Sequence, residues 1–224
     1  MQKSYQKVSE YIWEKVSSGE LRAGDRLPPE REMAELLGIS RNSVREGLKT
    51  LENIGVVSSQ HGAGNFVSAQ FEDTMREILS FMFILKGMND SQITEFRCAM
   101  EWEAVKLITG KVSGETREKL LKHLERLENA ETEAERVKQD KAIHYVIIEA
   151  AGNDYMNANY HALTRVIDIY IPKLRSKIIT GMQGDVKLRS AHRMIVEGIL
   201  EGDLEKALKG LELHFQYIRE YQDM

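Results

Sequence analysis

Residues 37–57, LGISRNSVREGLKTLENIGVV, place two demands on one helix. Val44, Leu48 and Leu51 recur at steps of four and three, the spacing by which a helix lays an apolar stripe against a core. Arg41, Arg45 and Lys49 recur at steps of four beside that stripe, roughly a quarter turn round. Three cations held in register need a reason in a chain whose formal net charge is -4.

The flanking sequence supplies a context for them. Ser40 is suited to cap the start of this helix, and Gly55 to stop it after about Asn53. Upstream, Val8, Ile12, Val16 and Leu21 mark a first amphipathic helix, ended by the turn-forming SSGELRAGD. A second, short helix begins near Pro29 and runs through Met33, Leu36 and Leu37 to Gly38. Downstream, VVSSQ and NFVSA are strand-like runs around HGAG, the pattern of a hairpin with a tight turn. Three helices and a hairpin make a winged helix-turn-helix over residues 1–70. In such a unit the last helix docks by one face and offers the other to the major groove. Arg41 and Arg45 have the fork geometry for guanine or phosphate, Lys49 extends the stripe, and Ser40 and Asn42 can donate at the helix start. Arg31 adds a fourth cation from the helix before. The alternative is a solvated basic face paired with Glu46 or Glu52.

Charge placement agrees with this division. Residues 1–70 carry nine Lys or Arg and nine Asp or Glu, so the whole acidic excess belongs to residues 71–224. With 29% charged and 42% apolar residues and only three prolines, the chain is globular, with neither disorder nor a fibrous repeat indicated. No stretch approaches the ~18 apolar residues of a membrane span, and MQKSYQKVSEYIWEK lacks a secretory core, which predicts a cytoplasmic protein without membrane partners. Cys98 is the single cysteine and reads as a packed thiol.

Beyond a linker expected at SAQFEDTM, residues 68–75, everything reads as helix. Ile78, Met82 and Leu85 open a series continued by Ile93–Lys111, Ser113–Asn129, Thr132–Ala151, Asn157–Ile179, Val186–Glu201 and Leu204–Asp223. Short breaks at KGMND, AGND, GMQG and EGD suit an antiparallel bundle, with a kink expected at Pro172. The fold class predicted is mainly α: a winged helix-turn-helix followed by an all-helical antiparallel bundle.

Inside that bundle the histidines are informative. Asp140 and His144 are one turn apart, and His144 shares a side with Ile147 and Ile148. His192 shares one with Ile195 and Ile199, and His214 lies on the line of Ala207, Leu211 and Ile218. Three histidines and a carboxylate thus point inward from three helices, a donor set suited to a divalent Zn, Mn, Fe, Co or Ni ion. Taken singly, each is also compatible with a hydrogen-bonded core histidine. Arg97 lies on the stripe of Ile93, Met100, Ala104 and Leu107, so its guanidinium needs an anion inside: a ligand, or Glu101 or Asp140. His123 and His161 lack such company and read as surface or locally bonded residues.

Residues 24–67, GDRLPPEREMAELLGISRNSVREGLKTLENIGVVSSQHGAGNFV, closely resemble the winged-helix domain of the GntR family of bacterial transcription regulators. The resemblance implies that Arg31, Arg41 and Arg45 contact DNA, with His61 and Gly62 of the wing reaching the minor groove. Pro29 and Asn42 depart from the common pattern, which places base preference near Asn42 in question. Residues from about 75 to 224 are similar to the FCD effector domain of the FadR subfamily. That implies a metal on Asp140, His144, His192 and His214, with Arg97 near the carboxylate of a small organic acid. The function so implied is a homodimeric regulator on double-stranded operator DNA, controlled by that acid. Two alternatives are a regulator for which the metal is the signal and a mononuclear metalloenzyme. Against the enzyme, no further inward Glu, Lys or Tyr with an acid or base role is evident from spacing.

Overall fold

A computed structural model describes residues 5–182 and 184–222, so Asp223, expected as the last helical residue, and Gln183 of the GMQG break lie outside them. The chain divides into two compact units, Met1–Met75 and Arg76–Met224. The first contains α1 (Gln6–Ser17), α2 (Glu30–Leu37), α3 (Arg41–Asn53), β1 (Val57–Gln60) and β2 (Gly64–Val67). The helix α4 (Glu72–Leu85) crosses the division, so residues 72–75 are helical rather than part of a linker.

The winged-helix unit forms because each amphipathic stripe finds a partner. Val8 and Ile12 of α1, Met33 of α2, and Val44, Leu48 and Leu51 of α3 close one core with Leu27, Val57 and Val67. Burying such a side chain contributes about 1.5 to 3 kcal/mol. Gly47 sets how closely α1 approaches α3: a Cβ there would lie 2.7 Å from Val8 Cβ and 2.8 Å from the Tyr5 carbonyl oxygen. The antiparallel hairpin pairs Val57 with Val67 and Gln60 with Gly64. A segment read as turn, residues 24–27, adds to β2: the Leu27 N–H donates to Asn65 O and the Val67 N–H to Asp25 O, each at 2.8 Å. Pro29 stands one residue before the helix, at the N-cap, and Glu30 is the first helical residue. Leu36, expected on the inward side, is exposed, whereas Met33 is fully buried.

The second unit is an antiparallel helical bundle of α5 (Asp90–Ile108), α6 (Gly114–Asn129), α7 (Glu133–Ala150), α8 (Asp154–Ala162), α9 (Thr164–Met182), α10 (Val186–Glu201) and α11 (Leu204–Gln222). Local chemistry starts several of these helices: the side chains of Asn89, Ser113, Thr132 and Asn153 accept the backbone N–H three residues on. The helix expected over Asn157–Ile179 is two. Its break falls at Leu163, whose N–H donates to Tyr160 O at 3.1 Å, while the Thr164 hydroxyl donates to His161 O at 2.5 Å. A threonine hydroxyl that takes the carbonyl three residues back competes with helix continuation. Ala104, Leu120, Leu127, Ile143, Ile147, Ile195, Ile199 and Phe215 form the centre of the core, and Cys98 packs half-buried against it. Among the described residues no helix is long and apolar enough to cross a membrane.

Candidate functional sites

The recognition helix carries both stripes as spaced. Val44, Leu48 and Leu51 are buried, whereas Ser40, Arg41, Asn42, Arg45 and Lys49 are exposed. Ser40 caps the helix by accepting the Ser43 N–H at 3.1 Å. Arg45 is held by neither Glu46 nor Glu52. Its Nε and Nη2 donate to the two carboxylate oxygens of Glu30 on α2, at 3.2 and 2.8 Å, and Glu52 instead accepts from the Ser59 N–H. Arg31 donates to Glu35 at 3.1 Å. Exposed pairs of this kind are weak and screened by salt, so they yield to a phosphate or a guanine edge. His61 and Gly62 are exposed in the turn between β1 and β2, where Gly62 takes φ 76°.

In the bundle, α7, α10 and α11 bring His144, His192 and His214 together, each with a ring nitrogen within 4.8 Å of the others. Gly210 permits the close crossing of α10 and α11 behind them, since a Cβ there would lie 2.7 Å from the Ile195 nitrogen. Asp140, one turn before His144, has its oxygens 3.6 Å from His144 Nε2 and 3.4 Å from His192 Nε2. All four side chains are buried.

Their surroundings orient the rings. His192 Nδ1 lies 2.8 Å from Leu188 O, an acceptor, so that nitrogen carries a proton and Nε2 faces the cluster. His144 Nδ1 lies 2.5 Å from Glu101 Oε2, an ion-pair contact that favours the same tautomer. A carboxylate behind an imidazole is the usual outer partner of a metal-bound histidine. His144 Nε2, His192 Nε2 and both nitrogens of His214 are buried without hydrogen-bond partners. Burial, then His192 and His144, hold the His214 pKa well below the usual histidine range, so that ring is neutral. A cluster of buried imidazole nitrogens without hydrogen-bond partners, beside a carboxylate, fits a divalent metal ion, because each orphan otherwise costs about 1 to 3 kcal/mol.

Glu101, one of the two internal anions expected for Arg97, faces inward, and it is joined by Tyr160, which the sequence did not single out. Glu101 is fully buried; burial pushes its carboxyl up, but His144 and Arg97, with hydrogen bonds from His144 and Tyr160, outweigh that and hold it at about 2. The Tyr160 hydroxyl donates to Glu101 at 2.6 Å. Arg97 Nη2 lies 3.0 Å from the same carboxylate, with the Phe215 ring 5.6 Å from the guanidinium carbon. Arg97 is thus inward, as its stripe requires, and already has an internal anion. Glu101, the i+4 neighbour of Arg97, was among the anions expected for it. Arg175 on α9 had no local signal: it donates through Nη1 to Asp140 at 2.6 Å and through Nε to Glu133 at 2.7 Å. Asp140 stays well below the ordinary aspartate range, because His192, Arg175 and His144 outweigh the effect of burial. Outside the cluster, His123 bonds Gln139 and His161 stacks on Tyr145, both local roles.

Comparisons with known proteins agree with both units. Residues 4–67 match the family "Bacterial regulatory proteins, gntR family", and residues 92–217 match the FCD domain. The uncharacterized HTH-type transcriptional regulator YcbG of Bacillus subtilis (strain 168) is 30% identical over 95% of this chain and 87% of its own. A putative L-lactate dehydrogenase operon regulatory protein of Escherichia coli (strain K12) is 25% identical over 94% of this chain and 83% of its own. The solved structure described as Streptococcus agalactiae GntR shares the fold, with TM-score 0.62, 18% identity, and 97% and 99% of the two chains covered. The chain therefore belongs to the GntR family of bacterial transcription regulators, in the FadR-like group that carries an FCD effector-binding domain, and it is not an enzyme.

Proposed function

We propose that this regulator binds its operator as a homodimer through Arg31, Arg41, Arg45 and Lys49, with Ser40 and Asn42 at the helix start and His61 and Gly62 in the wing. Its operator affinity is set by a small organic acid held at a divalent metal ion in the helical unit. Asp140, His144, His192 and His214 would hold the ion, and Arg97 would orient the acid's carboxylate. The cluster of unsatisfied histidine nitrogens carries this reading. Four protein donors leave open positions on an octahedral ion, which a chelating acid completes. An effector shifts operator affinity only by its differential affinity for two arrangements of the protein, and a coupling of about 1 to 3 kcal/mol is ordinary. A DNA-bound regulator of this kind works in the cytoplasm.

Dimerisation through the helical unit is supported by an exposed apolar stripe on α4, Ile78, Phe81, Ile84 and Leu85, with exposed Ile169 of α9 lining the same pocket as Phe81 and Ile84. Contiguous apolar surface of this kind is what a second copy covers. Full-length protein carrying Phe81→Glu and Ile84→Glu should sediment as a monomer at micromolar concentration. A dimer of unchanged affinity removes α4 from the interface.

The reading of metal and acid is tested on an operator recovered by selection from random duplexes. His144→Ala and His214→Ala should each lower the metal content of purified protein. Arg97→Ala should keep the metal and lose most of the response to an acid panel headed by L-lactate, the first choice because one relative is named for a lactate dehydrogenase operon. Full metal content with a normal response in both histidine variants would return these residues to the core. A second reading, in which the metal is the signal, is favoured by one observation: Arg97 already pairs with Glu101 and Tyr160. It predicts that metal alone shifts operator binding and that no acid adds to the shift.

A further inference from the structure

Arg175 pairs with Asp140 and with Glu133. It lines a small cavity together with Arg97, Asp140 and His214, closed by Ile171, Leu174 and Ile178 of α9. Both guanidiniums are buried, at 1% and 2% exposure. Arg175 Nη2 has no hydrogen-bond partner, and Arg97 Nη2 meets Glu101 only at ion-pair distance without a bonded hydrogen. Two buried cations therefore keep unused donors around one space.

The charges of the site lead to a ligand class. Without a metal, the buried groups balance: Arg97 and Arg175 against Glu101 and Asp140, all under 5% exposed. Glu133, the other partner of Arg175, is 39% exposed and its charge is shared with solvent and Arg136. A divalent ion on the histidines and Asp140 adds two positive charges where water cannot screen them. It also draws on the Asp140 carboxylate that now compensates Arg175. A monoanionic acid leaves one of those charges uncompensated, whereas a dianionic acid closes the balance.

We propose that the acid is a dicarboxylate, with one carboxylate at the metal beside Arg97 and the second on Arg175 Nη2. This inference rests on the reading that an acid sits at the metal, and it names the class of that acid. The cavity holds about 10 Å³ as it stands, room for one water, so entry displaces its α9 wall. Pro172 lies within that wall and lacks the N–H that would bond the carbonyl four residues back, which weakens α9 where it has to yield.

The test uses full-length protein loaded with Zn to a measured stoichiometry and titrated calorimetrically with malate and with lactate. Both are 2-hydroxy acids with the same chelating end, and only malate has the second carboxylate. A buried charge-assisted pair predicts malate tighter than lactate by on the order of tenfold to a hundredfold. In Arg175→Met, equally loaded, the two acids should bind alike, whereas Arg175→Lys, which keeps the charge, should keep most of the preference. Equal affinities in the wild type, or an unchanged preference in Arg175→Met, overturn the proposal while leaving an acid at the metal. Binding of neither acid overturns both. If Arg175→Met does not fold, the wild-type ratio and Arg175→Lys still decide the matter.

Discussion

The recognition helix and the histidine cluster use charged residues in opposite ways. On α2 and α3 the cations are exposed, and the protein partners of Arg31 and Arg45, Glu35 and Glu30, are replaceable by water. In the bundle, Arg97, Glu101, Asp140, His144 and Arg175 pair with one another away from water and leave several nitrogens without partners. A surface that has to meet the long, uniform charge of DNA gains from cations that are already solvated and weakly held. In the proposed role of the cluster, selecting one small molecule gains from desolvated groups in fixed positions, at the expense of depending on every partner.

The largest expected effect breaks the buried side of this contrast. Glu101→Ala removes the anion shared by Arg97, His144 and Tyr160, and removing one partner of a buried pair costs about 3 to 5 kcal/mol. Denaturant unfolding of metal-free protein should show that loss. A loss under about 1 kcal/mol would place water within the cluster and remove the distinction.

Smaller, and on the exposed side, are Arg41→Ala and Arg45→Ala. Each should lower specific operator affinity by about 1 to 3 kcal/mol, reduce the salt dependence and leave the unfolding transition where it was. Unchanged operator affinity in both variants, by fluorescence anisotropy at fixed salt, would show a merely solvated basic face.

The smallest effect sharpens the comparison most. Glu30→Ala frees Arg45 and removes a negative charge beside the DNA-facing helix, so affinity for nonspecific duplex should rise a few-fold with stability unchanged. A drop in operator affinity would instead mean that Glu30 aims Arg45, and that the exposed site is preorganised as the buried one is.

Much of this was legible locally. The stripes of α3 follow from one helix's periodicity, and Ser40, Ser113 and Thr132 stand where helix starts were expected because capping depends on residues three apart. His144, His192 and His214 read as inward because each shares a side with isoleucine or leucine. The break at Leu163 did not show, because Thr164 is as acceptable within a helix as after one, and its hydroxyl bond to His161 is known only from the backbone. Tyr160 was missed with it, being on the helix that the break creates. Residues 24–27 read as turn because their only strand-like bonds run to β2, some forty residues away.

By itself, then, the sequence determined the inward side of α3, α10 and α11, where α3, α6, α7, α10 and α11 begin, and that cations line the solvent side of α3, since all of these depend on residues within one or two turns. The tertiary structure alone decided that three histidines from α7, α10 and α11 share one space, that Glu101 rather than solvent stands behind His144, and that Arg175 reaches Asp140 from α9. Residues 22 or more positions apart meet only when whole helices pack, and close packing of the bundle core, not periodicity, selects which inward faces touch.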